Sequence, residues 1–387
     1  MPGIVVQASR LPAQSRWPHH NGHTEIVRVV AQSATHARGR HRPSVGVGEP
    51  YDRQMPRART SGPAASAAII RHKASRRAGA LAALPGCIVP TMSTVQTWLQ
   101  LIRVGNVFTA VADILAGALF IGAGRLDAGR VAAASLASAL LYSAGIVLND
   151  VFDFRKDSTE RPERPLPSRA ISLRAAILAG AVMLFAGWSV TIFLSREAAI
   201  AGTALALSIV LYDGVLKTTP LAPLVMGTCR GLNLSLGMLA VGVRWEVAHY
   251  LAVGLLALYV TSVTFFARRE ATVASSHRLA IGWLGVGLAV AGLVAVAVRV
   301  APAQDLGTLW PTIVACLALE AALGIPAWRA VRRPEPPHVQ AAVKTFILAI
   351  ILFDAILVLT SRGPLPALAG AALLIPAAWL GRAFRPT

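Results

Sequence analysis

Residues 131–157 read VAAASLASALLYSAGIVLNDVFDFRKD. Through Leu148 this stretch carries no charge. As a helix rising 1.5 Å per residue, it is long enough to cross most of the ~30 Å hydrocarbon core of a bilayer. It then turns polar at Asn149–Asp150–Val151–Phe152–Asp153–Phe154–Arg155–Lys156–Asp157. If the helix continues, Asn149, Asp153 and Asp157 share one face, and Asp150 lies beside Asp153 and Asp157. Three clustered carboxylates repel one another unless something positive holds them. Oxygen-only ligands suit a hard cation such as Mg2+, which keeps several waters and shares a phosphate. Adjacent Arg and Lys suit the phosphate itself. The competing reading is a solvated acidic helix end neutralised by Arg155 and Lys156.

Apolar runs of similar length recur along the chain. Of 387 residues, 55% are hydrophobic and 14% charged, with a mean hydropathy of +0.58. This predicts an all-α, polytopic membrane bundle of nine to ten spans and excludes a soluble core. The spans fall near 96–123, 130–149, 171–194, 197–213, 220–242, 247–267, 279–300, 308–330, 341–361 and 365–383. Lys and Arg concentrate in alternate loops: Arg155, Lys156, Arg161, Arg164 and Arg169; Lys217; Arg268, Arg269 and Arg278; Arg329, Arg332 and Arg333. The positive-inside rule makes these loops and both termini cytoplasmic, in a cell (inner) membrane.

The net charge is +19, and residues 1–91 hold 13 Arg or Lys against Glu25, Glu49 and Asp52. The rest of the charge lies mostly in loops between spans, so a membrane protein with a basic tail accounts for it and a nucleic-acid partner does not. Residues 1–91 lack helical periodicity and are expected to form a disordered extension, with a transit peptide as an alternative. Met92 opens a more regular segment, so the upstream stretch also fits a start codon placed too early, and residues 92–387 form the membrane domain. Cys87, Cys229 and Cys316 make no CxxC or CxxH pair and read as apolar thiols.

The stretch from Asn149 to Asp157 resembles the NDxxDxxxD signature of the UbiA family of membrane prenyltransferases. Glu160–Arg161–Pro162–Glu163–Arg164–Pro165–Leu166–Pro167–Ser168 is similar to that family's Arg-Pro continuation. The resemblance covers about 96–330. It implies a Mg2+ site at Asn149, Asp150, Asp153 and Asp157 and a diphosphate grip at Arg161 and Arg164, whose plainer role is positive-inside charge. Tyr212 and Lys217, in YDGVLK, resemble the family's YxxxLK element, with Asp-Gly where Ser-Pro is usual. Lys217 would stabilise the leaving diphosphate; a snorkelling lysine is the plainer reading. Arg103 and Asn106 match an Arg and Asn lining the family's cavity, with Asp113 one to two turns on; a salt bridge to another helix is the alternative. Arg230 and Asn233, in CRGLN, would line the same cavity, because an arginine within a span needs a polar one. Gly227, Gly231 and Gly237 allow close helix packing there.

The family's second acidic motif is altered. At the sixth-to-seventh connection stand Arg268, Arg269 and Glu270, with one carboxylate where a DxxxD cluster is usual. Fewer anionic ligands weaken a second cation site, and the arginines could contact phosphate instead. In this and in CRGLN the chain resembles the divergent EboC-like branch. The resemblance implies Mg2+-dependent transfer of an isoprenyl group from an allylic prenyl diphosphate to an aromatic or other lipid-soluble acceptor. The alternative is a UbiA-like protein without transfer, which binds or moves a metabolite across the membrane. A secondary transporter fits less well, because no internal repeat is evident and the polar residues gather at one face. An alcohol phosphotransferase would need a DGxxAR start, whereas Asp213–Gly214 runs into Val-Leu-Lys-Thr.

Overall fold

Ser93 caps the first described helix: its hydroxyl accepts from the Gln96 N–H while the Gln96 side chain accepts from the Ser93 N–H, a reciprocal cap. The computed structural model describes residues 93–121, 126–242, 244–268, 274–300 and 306–384. The expectations for residues 1–91 and for a start at Met92 lie outside them.

The helices are α1 (Thr94–Leu101), α2 (Val104–Ile121), α3 (Ala128–Phe152), α4 (Phe154–Glu160), α5 (Leu173–Leu194), α6 (Arg196–Leu211), α7 (Ala222–Val241), α8 (Val247–Ala267), α9 (Ser276–Val300), α10 (Leu306–Arg332), α11 (Pro336–Arg362), α12 (Pro364–Ala371) and α13 (Leu374–Ala383). A π-helical turn, Tyr212–Leu216, follows α6. Among the described residues there is no strand. Asp127, Ser172 and Ser195 cap α3, α5 and α6 with side-chain oxygens, so polar residues between apolar runs mark the starts.

Among the described residues, ten helical segments are long and apolar enough to cross a membrane. Two expected spans are broken. The first divides at Ile102–Arg103, where Arg103 takes a left-handed backbone with φ 49°. The last divides at Ala372–Leu373.

The spans differ in burial. More than half of α2, α7 and α11 is enclosed (61, 56 and 67%), against 17% for α5 and 11% for the α12–α13 segment. The inner helices meet through small residues: a Cβ on Gly117 or Gly237 would strike the facing backbone of α7 or α2, and one on Gly227 the Ala257 carbonyl of α8. Outward positions on α5 and α9 show Leu178, Phe185, Phe193, Leu284 and Leu288, surface suited to lipid rather than water. Successive spans alternate in direction, so Arg103, Asn149–Arg164, Tyr212–Lys217 and Arg268 collect at one end of the bundle.

Candidate diphosphate site at the polar end

α3 ends at Phe152, and Asp153 forms the junction to α4 with helical hydrogen bonds on both sides (Asp153 N–H to Asn149 C=O, 3.0 Å; Asp157 N–H to Asp153 C=O, 2.8 Å). The break regroups the acidic residues. Asn149 and Asp153 stay together, as the helical spacing predicts, and both accept from the Lys217 ammonium. Asp157 does not join them: its Oδ2 is 2.6 Å from Arg164 Nη1, which lies 3.8 Å from Asp150 Oδ1. Arg103 Nη2 donates to the same Asp150 oxygen at 3.1 Å. The four expected metal ligands therefore form two pairs around cations rather than one face. Among the described residues no three His, Cys, Asp or Glu side chains form a metal-holding group. Arg155 and Lys156 are exposed and take no part, so the neutralising charge comes from Arg103, Arg164 and Lys217.

The π-helical turn places Lys217 here. Its wider winding buries Asp213, which adds a fourth carboxylate, and lets Tyr212 line the adjoining cavity. Arg161 is half-buried in the loop before Arg164. Arg268 donates to the Thr219 carbonyl at 2.7 Å, which holds it at this end. Glu270 and Arg269 lie outside the described residues.

Behind the charged mouth is a cavity of about 370 Å³. Arg103, Asn106, Asn149, Tyr212 and Lys217 line its polar end; Leu205, Ile209, Val260, Val263, Ile347 and Ile350 line its apolar walls. Arg230 and Asn233 also line it, and both are buried. Arg230 donates to Asp113 Oδ2 at 2.7 Å and to Thr109 Oγ1 at 2.6 Å, and it stacks 5.1 Å from the Tyr142 ring centroid. Asn233 Nδ2 donates to Asp113 Oδ2 and to the Ala110 carbonyl, each at 2.8 Å. The arginine within the span thus has both surroundings that the sequence allows: it borders the cavity, and it is saturated by a salt bridge to α2. Asp354 of α11 faces this cluster and lies against the Asp113 carboxylate. Sequence reasoning passed over Asp354, though a lone carboxylate in a strongly apolar span is itself a signal.

A family model described as the UbiA prenyltransferase family matches residues 110–351. Among curated relatives, the digeranylgeranylglyceryl phosphate synthase of Saccharolobus solfataricus is 28% identical over 148 residues, 38% of this chain and 52% of that protein. The synthase of the same name from Methanocaldococcus jannaschii is 31% identical over 104 residues, 27% of this chain and 37% of that protein. The chain thus spans about half the length, or less, of these relatives. Among solved structures, one concerned with digeranylgeranylglyceryl phosphate synthase in membranes aligns with a TM-score of 0.52 at 20% identity, covering 70% of this chain and 99% of that one. A UbiA homologue from Archaeoglobus fulgidus bound to GPP and Mg2+ aligns with a TM-score of 0.51 at 13% identity, covering 67% and 99%. These structures share the fold. The family match takes in most of the bundle, from α2 to α11, and with it the carboxylate mouth and the cavity behind it: the chain belongs to the UbiA prenyltransferase family.

Proposed function

We propose that this protein is a membrane prenyltransferase, moving an isoprenyl group from an allylic prenyl diphosphate to a lipid-soluble acceptor. One observation carries the reading: an apolar cavity opens at a mouth holding four carboxylates and three cations. That polarity matches an amphiphile with a diphosphate head and an isoprenoid tail.

Asn149, Asp150, Asp153 and Asp157 offer only oxygen donors, which fits Mg2+. With Asp213 the mouth offers four carboxyl groups, oxygen donors that a divalent ion would share with the diphosphate. When bound, Mg2+ would neutralise charge on the diphosphate. A fold relative bound to GPP and Mg2+ supports this choice of ion and donor. Arg164 and Lys217 exchange their carboxylate partners for phosphate oxygens, and both gain most as charge develops on the leaving group. Arg103 and Arg161 extend the grip. Arg268, held at the Thr219 carbonyl, reaches toward the same head group. Asn106 and Tyr212 hydrogen-bond at the cavity rim, while Arg230 and Asn233, already paired, shape its floor. Leu205, Ile209 and Val263 seat the isoprenoid and keep water from the allylic cation. Glu270 completes the proposed site. The acceptor is aromatic or another lipid-soluble molecule; a glyceryl phosphate lipid is favoured by the names of the relatives. The positive loops support a cytoplasmic position for this end, with the bundle in the cell membrane and residues 92–387 proposed as the membrane domain.

The test is release of diphosphate from geranyl and longer prenyl diphosphates by the full chain in detergent, with and without Mg2+. Asp150→Ala and Asp153→Ala should each lower the Mg2+-dependent rate about 1,000-fold, as expected when a major source of transition-state charge stabilisation is lost. A folded protein that releases no diphosphate at any chain length, with acceptors supplied, would overturn the reading.

A further inference from the structure

A second cavity, of about 440 Å³, lies between α2, α11 and α13 and shares Arg103, Asn106, Val343 and Ile347 with the first. Its other polar lining residues are Gln340, Lys344 and Arg382. Among the described residues no carboxylate lines it. Lys344 and Arg382 make no ion pair among the described residues. The position is built by close packing: a Cβ on Gly105 would meet Gly381 N at 2.6 Å and the Ala377 carbonyl at 2.7 Å, so α13 lies directly on the start of α2. This sets Arg382 beside the mouth of the diphosphate site.

The polarity runs in one direction. On α11, Gln340 and Lys344 stand one turn apart near the site end, and Leu348 lines the cavity one turn deeper. On α13, Arg382 is in the last turn and Ala378 one turn deeper. A cation in the last turn of α13 is where the helix dipole favours one. Lys344, exposed two turns into α11 and nearer its N-terminus, is not placed by that dipole. Two unpaired cations and an amide above an apolar floor match a phosphate head on a lipid tail. Resting on the transferase reading above, we propose that this cavity is a second anion subsite, which seats the phosphate of a phosphorylated lipid acceptor against Lys344 and Arg382. Arg103, shared by both cavities, stands between the donor's diphosphate and the acceptor's phosphate.

The experiment is a binding titration of the full chain in detergent, which needs no catalysis. The probes are a short-chain phosphatidic acid, a short-chain phosphatidylcholine, inorganic phosphate and geranyl diphosphate. Phosphatidic acid should bind saturably, and Lys344→Gln and Arg382→Gln should each weaken it about tenfold, the usual scale for one charge-assisted hydrogen bond. Arg382→Lys, which keeps the charge, should retain most of the affinity. Phosphatidylcholine and inorganic phosphate should bind at least tenfold more weakly than phosphatidic acid, and geranyl diphosphate affinity should stay within twofold in every variant. Unchanged phosphatidic acid binding in the Lys344→Gln/Arg382→Gln double variant would overturn the subsite. Equal binding of phosphatidylcholine would overturn it too, by marking a seat for bulk lipid. The geranyl diphosphate titration decides the donor reading separately, so the two cannot fail unnoticed together.

Discussion

The bundle contains two groups of carboxylates, cations and an asparagine, and they differ in what surrounds them. At the polar end, Lys217 and Asp153 pair with 27 and 26% of their side chains still accessible. Between the helices, Arg230 and Asp113 pair at 9 and 0%, enclosed by Thr109 and Asn233. In the first setting water or a ligand can replace either partner at modest cost. In the second, separation strands a charge in a medium that cannot solvate it. Similar residue types therefore make an exchangeable site in one place and a fixed strut in the other.

Substitutions at three residues probe that contrast. The largest effect should come from Arg230→Ala, which leaves Asp113 buried and unpaired. A stability loss of about 3–5 kcal/mol is expected, read by chemical unfolding in detergent. The same measurement on Lys217→Ala should show about 1 kcal/mol or less, since its partners remain in reach of water. Equal losses in the two variants would break the distinction.

The second effect runs the other way. Lys217→Ala should lower the diphosphate release rate about 100-fold, the scale of one lost preorganised donor to a developing charge. Lys217→Arg should recover part of that, because charge is kept while the geometry of a point donor is not. Full activity in Lys217→Ala would make the lysine a snorkelling residue with a structural partner only.

The smallest effect should come from Arg268→Gln. Its guanidinium is exposed and bonded to one carbonyl, Thr219, so a change of about threefold or less in release is expected. A loss as large as that of Lys217→Ala would mean that Arg268 carries the charge which a second acidic motif handles elsewhere in the family.

Much of the fold was legible because hydrophobic runs of fixed length leave few alternatives in a bilayer. Apart from the first, which the break at Ile102–Arg103 shortens, the spans agree with the expected ones within a few residues, and the serine and aspartate caps sit where polar residues interrupt those runs. The site was legible as a list of residues: Asp150, Asp153, Asp157, Arg164, Tyr212 and Lys217 all reach one end. Their partners were not. Helical periodicity grouped Asp157 with Asn149, but the junction at Asp153 turns it toward Arg164. Arg103 needed a left-handed backbone to end α1 and reach Asp150, and nothing in its neighbours in sequence announces that conformation.

The sequence by itself determined that this chain is a helical membrane bundle with an acidic, oxygen-rich mouth of the UbiA type. Apolar length and motif spacing are local properties and survive without coordinates. Only the tertiary structure decided which charges meet. Asp113 and Arg230 are 117 residues apart and Asn149 and Lys217 are 68 apart, brought together by glycine-mediated helix packing and the π-helical turn. It also decided that α13 closes on α2 at Gly105, which sets Arg382 and Lys344 around one cavity. Such contacts depend on how spans rotate and approach, and in a membrane that is set by side-chain fit between helices rather than by the pattern along any one of them.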